Sequence, residues 1–447
     1  MSLGARCSGH ARPGPRMFMA AAGASSGRRN GRARASWGFA DQVLSSATNF
    51  ALTVVAAQML TSRDFGVFAI VIAIYVLSNG TIRGLASEPL VVLFSDTSPS
   101  VQCRAAAVAV TRGAAGASVL TLAIVAVAEL THGLPRPTTF VLLALLLPGL
   151  VVQDTARFAL MTLGRPRIAF ESDVVWAVLQ GVAVPLLIAT NRASLSPLVT
   201  CWGVGATLAG AYALVRGGIV IPLDAVGEGI RTRARFGGRF AADFLISQSG
   251  TQLIVVLLGT LASAPEAGKY RVAQAAFGPL VVIMSGTRFA VIPELVRARH
   301  RPALLHRRVV QVTVALTAVA IAWGVFVYVM PASFGRSVFD AKWDTAHMLI
   351  PAVTVAIAAG AAETGALSGI RAVADASGGL RARVVVGALT LLAAGVGADF
   401  AGAQGAAIGA AAAGAPGFLV WWAQFRASIS TASRAPAYEP HLARDSG

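Results

Sequence analysis

What most constrains this chain is the recurrence of apolar runs of about 20 residues, the length that carries an α-helix across a bilayer. They fall at 37–60, 66–94, 105–130, 139–163, 168–190, 197–219, 238–262, 268–296, 308–331, 346–370, 382–400 and 404–426. Composition agrees. Mean hydropathy is +0.68, with 55% hydrophobic and 13% charged residues, against about a quarter charged in a soluble domain. The expected fold is all-α and polytopic, with about twelve transmembrane helices in the cytoplasmic membrane.

The chain also carries a faint copy of itself. Ala40-Asp41 opens the first run, and Ala242-Asp243 opens the seventh. Arg63-Asp64-Phe65-Gly66-Val67-Phe68 is echoed by Pro265-Glu266-Ala267-Gly268-Lys269-Tyr270, and Gly80-Thr81-Ile82-Arg83 by Gly286-Thr287-Arg288. Two six-helix bundles inserted in the same direction are expected, at 37–219 and 237–426. Parallel repeats are a recurring plan for transporters that rock one half against the other around a central site.

The formal charge of +17 would suggest nucleic acid in a soluble protein. Its placement excludes that partner. With the N-terminus inside, most of the arginines fall in inner segments, the ordinary topology signal. Residues 1–36 are expected to be a disordered basic tail that meets anionic lipid. They lack the apolar core of a signal peptide, and Met17 is an alternative start to Met1. Residues 220–236 are expected to be a cytoplasmic linker and 427–447 a cytoplasmic tail. The three cysteines, Cys7, Cys103 and Cys201, have no metal-site or disulfide spacing, so neither a metal nor another cofactor is expected.

Ionisable residues inside spans are costly and are functional candidates by default. Asp41, Arg83, Glu88, Asp154, Arg157, Glu171, Asp173, Asp243, Arg288 and Glu294 all fall in the expected cytoplasmic halves of their helices. Arg83, Arg157 and Arg288 suit phosphate oxygens, because a guanidinium makes charge-assisted, forked hydrogen bonds. Asp41, Glu88, Asp154, Asp243 and Glu294 are candidates for coupling or charge pairing. The bland alternative stays open: Arg83 paired with Asp41 or Glu88, and Asp154 with Arg157, purely to hold the bundle together. Ser45, Thr48 and Asn49 share a face of the first span, joined by Gln42 and Thr53. Ser247, Gln248, Thr251 and Gln252 answer on the seventh. Asn49 and Gln248 are therefore candidate substrate contacts, with interhelical hydrogen bonding as the alternative.

Pro148-Gly149, Pro185, Gly278-Pro279, Pro351 and Pro416 mark expected bends. Gly405-x-x-x-Gly409 is expected to mean close helix packing.

The stretch from Trp37 to Phe50, then Phe65-Gly66-Val67-Phe68, then Arg83-Gly84-Leu85-Ala86-Ser87-Glu88-Pro89-Leu90, resembles the polysaccharide (O-antigen and teichoic-acid type) flippases of the multidrug/oligosaccharidyl-lipid/polysaccharide exporter superfamily. The resemblance implies paired six-helix bundles around a cationic cavity. It implies export of a polyprenyl-pyrophosphate-linked sugar across the cytoplasmic membrane, with membrane lipids around it and a polysaccharide polymerase or glycosyltransferases as contacts. A drug or cation antiporter of the same superfamily is the nearest alternative, and would need acids to dominate the cavity. A membrane glycosyltransferase or ligase is the rival from another class. It would need reactive side chains on substantial outer loops, where only His132 and His347 are found.

Overall fold

The computed structural model describes residues 22–94, 98–130, 136–220, 250–280, 284, 295–298, 301–373 and 375–434. No strand occurs among the described residues, and the architecture is an all-α membrane fold consistent with about twelve membrane-crossing helices, some of them built from more than one helical segment. The helices are α1 (Ala22–Met59), α2 (Ser62–Ile82), α3 (Glu88–Phe94), α4 (Pro99–Leu130), α5 (Pro137–Thr162), α6 (Pro166–Ala189) and α7 (Leu195–Gly217). They continue with α8 (Gly250–Ala262), α9 (Ala264–Ala275), α10 (Pro302–Val329), α11 (Ala332–Phe339), α12 (Lys342–His347), α13 (Ile350–Ala372), α14 (Ala376–Ala412) and α15 (Gly414–Arg434). Large apolar side chains face outward: Leu122, Leu392 and Phe400 are 71%, 70% and 84% exposed. Water would not tolerate so continuous an apolar surface, and a bilayer requires it.

Two compact units are present. The first comprises the described residues up to Arg271 together with Val338–Asp340. The second comprises those of Val272–Ser337 and those from Ala341 onward. This division falls beyond residues 220–236, of which only Val220 is described.

In the first unit α5 is central, packed on α4 and α7. Pro148 sits inside it and leaves the Ala144 carbonyl without its helical donor. Thr121 on α4 fills the gap, its hydroxyl donating to Ala144 O at 2.6 Å. The proline site is thus a bonded contact between two helices. The second span is α2 and α3 joined through a π turn at Arg83–Ser87, where the Glu88 N–H reaches back to Arg83 O. Such turns insert one extra residue and are common at functional sites.

In the second unit the break between α14's two parts lies at Ala401 and Gly402, where Gly402 takes φ 56°. Glycine adopts that region freely. The chain folds back so tightly that a Cβ on Gly397 would lie 2.0 Å from Gly405 O, and one on Gly405 1.9 Å from Gly397 O. A Cβ on Gly409 would lie 2.1 Å from Ala393 O, so the Gly405–Gly409 pair packs closely as its spacing predicts. At the turn before Gly278-Pro279, the Ala276 carbonyl accepts the Trp323 indole N–H at 3.1 Å.

Two expectations need correction. The tail is not irregular to residue 36, because α1 starts at Ala22. Pro351 and Pro416 bend nothing. Each lies in the first turn of its helix, α13 and α15, where a missing N–H costs no bond.

Candidate functional site

Four helices of the first unit bring charged side chains to one end of that unit. α1 supplies Asp41, the start of the π turn Arg83, α5 both Asp154 and Arg157, and α6 Asp173. The π turn sits at the far end of α2 from Thr61, the residue whose hydroxyl caps α2 by accepting the Asp64 N–H.

Arg83 grips Asp154 with two bonds, Nε–Oδ2 at 3.0 Å and Nη2–Oδ1 at 2.6 Å. Its guanidinium also lies 4.9 Å above the Phe158 ring. Asn79, one turn earlier on α2, donates to Asp154 as well. Arg157 is ringed by carboxylates. It donates through Nη2 to Asp41, and stands 3.6 Å from Asp154 and 3.4 Å from Asp173. Gln153 holds the same Asp173 oxygen at 2.7 Å.

Exposure separates the two arginines. The Arg157 side chain is 10% accessible and its three partners are buried, whereas that of Arg83 is 30% accessible. The five groups carry three carboxylates against two guanidiniums. Asp41 Oδ1 and Asp173 Oδ2 are buried without a hydrogen bond among the described residues. Beside Asp173 lies a narrow recess lined by Ser45, Thr48, Asn49 and Trp176, too tight in this structure to hold a water molecule. Trp176 is fixed there, its indole N–H donating to Trp202 O at 3.0 Å.

Of the residues singled out by sequence, Asp41, Asp154 and Arg157 meet directly, and Arg83 joins through Asp154. The pairing differs from the expected one: Arg83 takes Asp154 and not Asp41, because α5 presents Asp154 towards α2 and Arg157 towards α1. Asn49 lies on the recess. Glu88 lies on α3, half-buried. Glu171 is directed elsewhere, bound by Arg167 at 3.0 Å and by the Tyr212 hydroxyl at 3.1 Å. Thr48 and Thr53 return their hydroxyls to Leu44 O and Asn49 O of their own helix. Asp243, Gln248, Arg288 and Glu294 lie outside the described residues.

Two polar residues of this cluster, Asn79 and Gln153, were not among those singled out by sequence. Their spacing held a signal, since each stands within four residues of an intramembrane charge. Glu363, in the middle of α13, was not singled out either; a carboxylate oxygen of it lies 2.7 Å from where a Cβ on Gly417 would sit.

No protein-family model matches the chain, and no curated protein matches it. Solved structures do. An inward-facing multidrug resistance MATE family transporter of the MOP superfamily matches with TM-score 0.66 and 12% identity, over 90% of this chain and 96% of that one. Lipid II flippase MurJ, in an inward closed conformation, matches with TM-score 0.63 and 12% identity, over 88% and 90%. A MOP superfamily transporter from Pyrococcus furiosus, described as having a binding pocket of reversed polarity, matches with TM-score 0.57 and 12% identity, over 89% and 95%. The chain shares the fold of these transporters.

Proposed function

We propose that this protein flips a lipid-linked oligosaccharide or polysaccharide precursor across the cytoplasmic membrane by alternating access, with both termini in the cytoplasm. The observation that carries the proposal is Arg83, whose side chain is 30% accessible while Asp154 holds its guanidinium bidentate. Asp154 fixes the fork while the exposed part meets a phosphate oxygen of a polyprenyl pyrophosphate. Arg157, enclosed by three carboxylates, serves as counter-ion and not as ligand. Arg288 is the repeat's counterpart of Arg83 and takes the same role from the second bundle. Asn49 and Gln248 contact the sugar, while membrane lipids surround the tail. A polymerase or glycosyltransferase supplies or consumes the substrate. The fold supports the plan, since one similar structure is a lipid II flippase.

The test is a flipping or complementation assay on Arg83→Ala and Arg83→Lys with protein level measured in parallel. Losing the phosphate contact costs about 1.5–3 kcal/mol, roughly 10- to 150-fold in transport; Lys restores part of it by charge without the fork. Normal transport by well-expressed Arg83→Ala would remove Arg83 from the pathway.

A second reading has its own observation. The cluster has one carboxylate in excess, and a multidrug transporter shares the fold, which favours a drug or cation antiporter. Efflux of organic cations by reconstituted protein, with no effect on lipid-linked sugars, would decide for it.

A further inference from the structure

At the opposite end of the first unit from the charge cluster, the close contacts are made by glycine. A Cβ on Gly66 of α2 would lie 1.7 Å from the Ala264 carbonyl oxygen and 2.9 Å from Pro265 N. A Cβ on Gly268 of α9 would lie 3.3 Å from both Gly66 Cα and Gly66 N. One turn along, a Cβ on Gly259 would meet Ile70 Cδ1 at 2.4 Å. Backbone thus lies on backbone, with no space for even a methyl group. Gly66 and Gly268 are also equivalent positions of the internal repeat, each the fourth residue of its echoed hexapeptide. Equivalent residues of two related units touch each other only near the axis that relates them. Two further contacts flank the seam: the Gln58 amide donates to Val338 O at 3.3 Å, and Phe50 meets Phe339 edge-on at 6.2 Å.

We infer that the Gly66–Ala264–Gly268 seam is the outer gate of this transporter, closed in this structure and required to part when the cavity opens outward. The inference rests on the orientation and alternating access proposed above. Its geometry is suited to a gate. A glycine seam is held by short-range packing, which is lost within an ångström or so of separation. Any side chain at Gly66 must displace the Ala264 backbone, so it penalises the closed state and leaves an opened one untouched.

The experiment uses the full chain with Cys7, Cys103 and Cys201 replaced by serine and a reporter cysteine at Ile70, facing the seam. Outside labelling by a membrane-impermeant maleimide is followed together with transport. Gly66→Val is expected to raise labelling on the order of tenfold, as a wedge that strains one of two states shifts the population to the other. Transport should fall while protein level holds. Gly181→Val and Gly395→Val, at glycines with open space around the Cβ position, should change neither readout. Unchanged labelling in Gly66→Val would overturn the gate. Should Gly66→Val fail to accumulate, a disulfide between Gln58→Cys and Val338→Cys decides. Block of transport on oxidation, released by reduction, supports the gate, and full transport while cross-linked overturns it. Labelling that responds to the wedge in a protein that moves no lipid-linked sugar would sink the substrate assignment and leave the gate standing.

Discussion

The two ends of the first unit hold their helices together by different means. At one end Asp41, Arg83, Asp154, Arg157 and Asp173 are bound by directional, charged contacts in the interior. At the other, Gly66, Gly259 and Gly268 allow backbone to pack closely on its neighbours, while the Arg136–Asp64 pair and the Gln58–Val338 bond lie exposed at the margin. The difference lies in what each contact tolerates. A buried guanidinium among carboxylates cannot lose a partner without stranding a charge. A glycine seam loses only packing when it opens, and nothing is left unsatisfied. One end is suited to staying intact through a transport cycle, the other to opening and closing.

The sharpest way to break that comparison is Arg157→Ala. It leaves Asp41 and Asp173 buried without their cation, so it should destabilise by about 3–5 kcal/mol, read as a lower melting midpoint in detergent. Combining it with Asp41→Asn should recover part of the loss. A melting midpoint close to wild type would show that the cluster is wetter and weaker than its geometry implies.

A smaller effect is expected at the second unit's own glycine contact. Gly405→Leu has to push against the Gly397 carbonyl, and overpacking costs about 1–3 kcal/mol. That contact joins the two parts of one hairpin, so the loss should show in melting and not in outside accessibility of the Ile70 reporter. A rise in accessibility would mean that glycine seams are not local devices in this protein.

Thr121→Val should cost about 0.6–1.7 kcal/mol, because the Ala144 carbonyl freed by Pro148 then has no donor. Pro148→Ala in the same chain should abolish that sensitivity, since the helix would bond the carbonyl itself. A double-mutant cycle measures the coupling.

The smallest effect concerns Asp375, which caps α14 by accepting the Gly378 N–H at 2.8 Å and takes the Ser428 and Gln424 side chains of α15 at 2.6 and 3.1 Å. The Ser428 bond first, then the Gly378 N–H, holds its carboxyl below the usual carboxylate range. A depressed folded value means stability that is present above the unfolded pKa of about 3.9 and lost as pH falls through the folded one. Asp375→Asn, which keeps a capping oxygen, should melt like wild type at acid pH and slightly earlier at neutral pH. An unchanged melting difference across pH would remove the carboxylate from the account.

Much of this fold was legible because the bilayer leaves a chain few options. Helix must satisfy its own backbone in lipid, so apolar runs translated almost directly into α4 to α7, α10 and α13, with ends only a few residues from those expected. The Gly405–Gly409 spacing likewise announced its contact. The charges were legible as candidates but not as pairs. A span's sequence gives the depth of Asp154 and Arg157, yet which neighbour each reaches depends on helix rotation. That rotation is altered here by the π turn at Arg83–Ser87, which no periodicity reveals. Asp173 was noted, but nothing in one sequence shows that it faces Arg157. Glu363 was hidden because a lone acid in an Ala-rich run barely disturbs hydropathy.

The sequence by itself determined that this chain lives in a membrane as many helices and repeats itself in parallel, because apolar length and local echo are properties of neighbouring residues. Only the tertiary structure decided that Arg157 is enclosed while the Arg83 side chain stays partly accessible, and that Gly66 meets its repeat partner's helix backbone to backbone. Those outcomes depend on how helices far apart in sequence turn and approach one another, and for such approaches a chain carries no local signal.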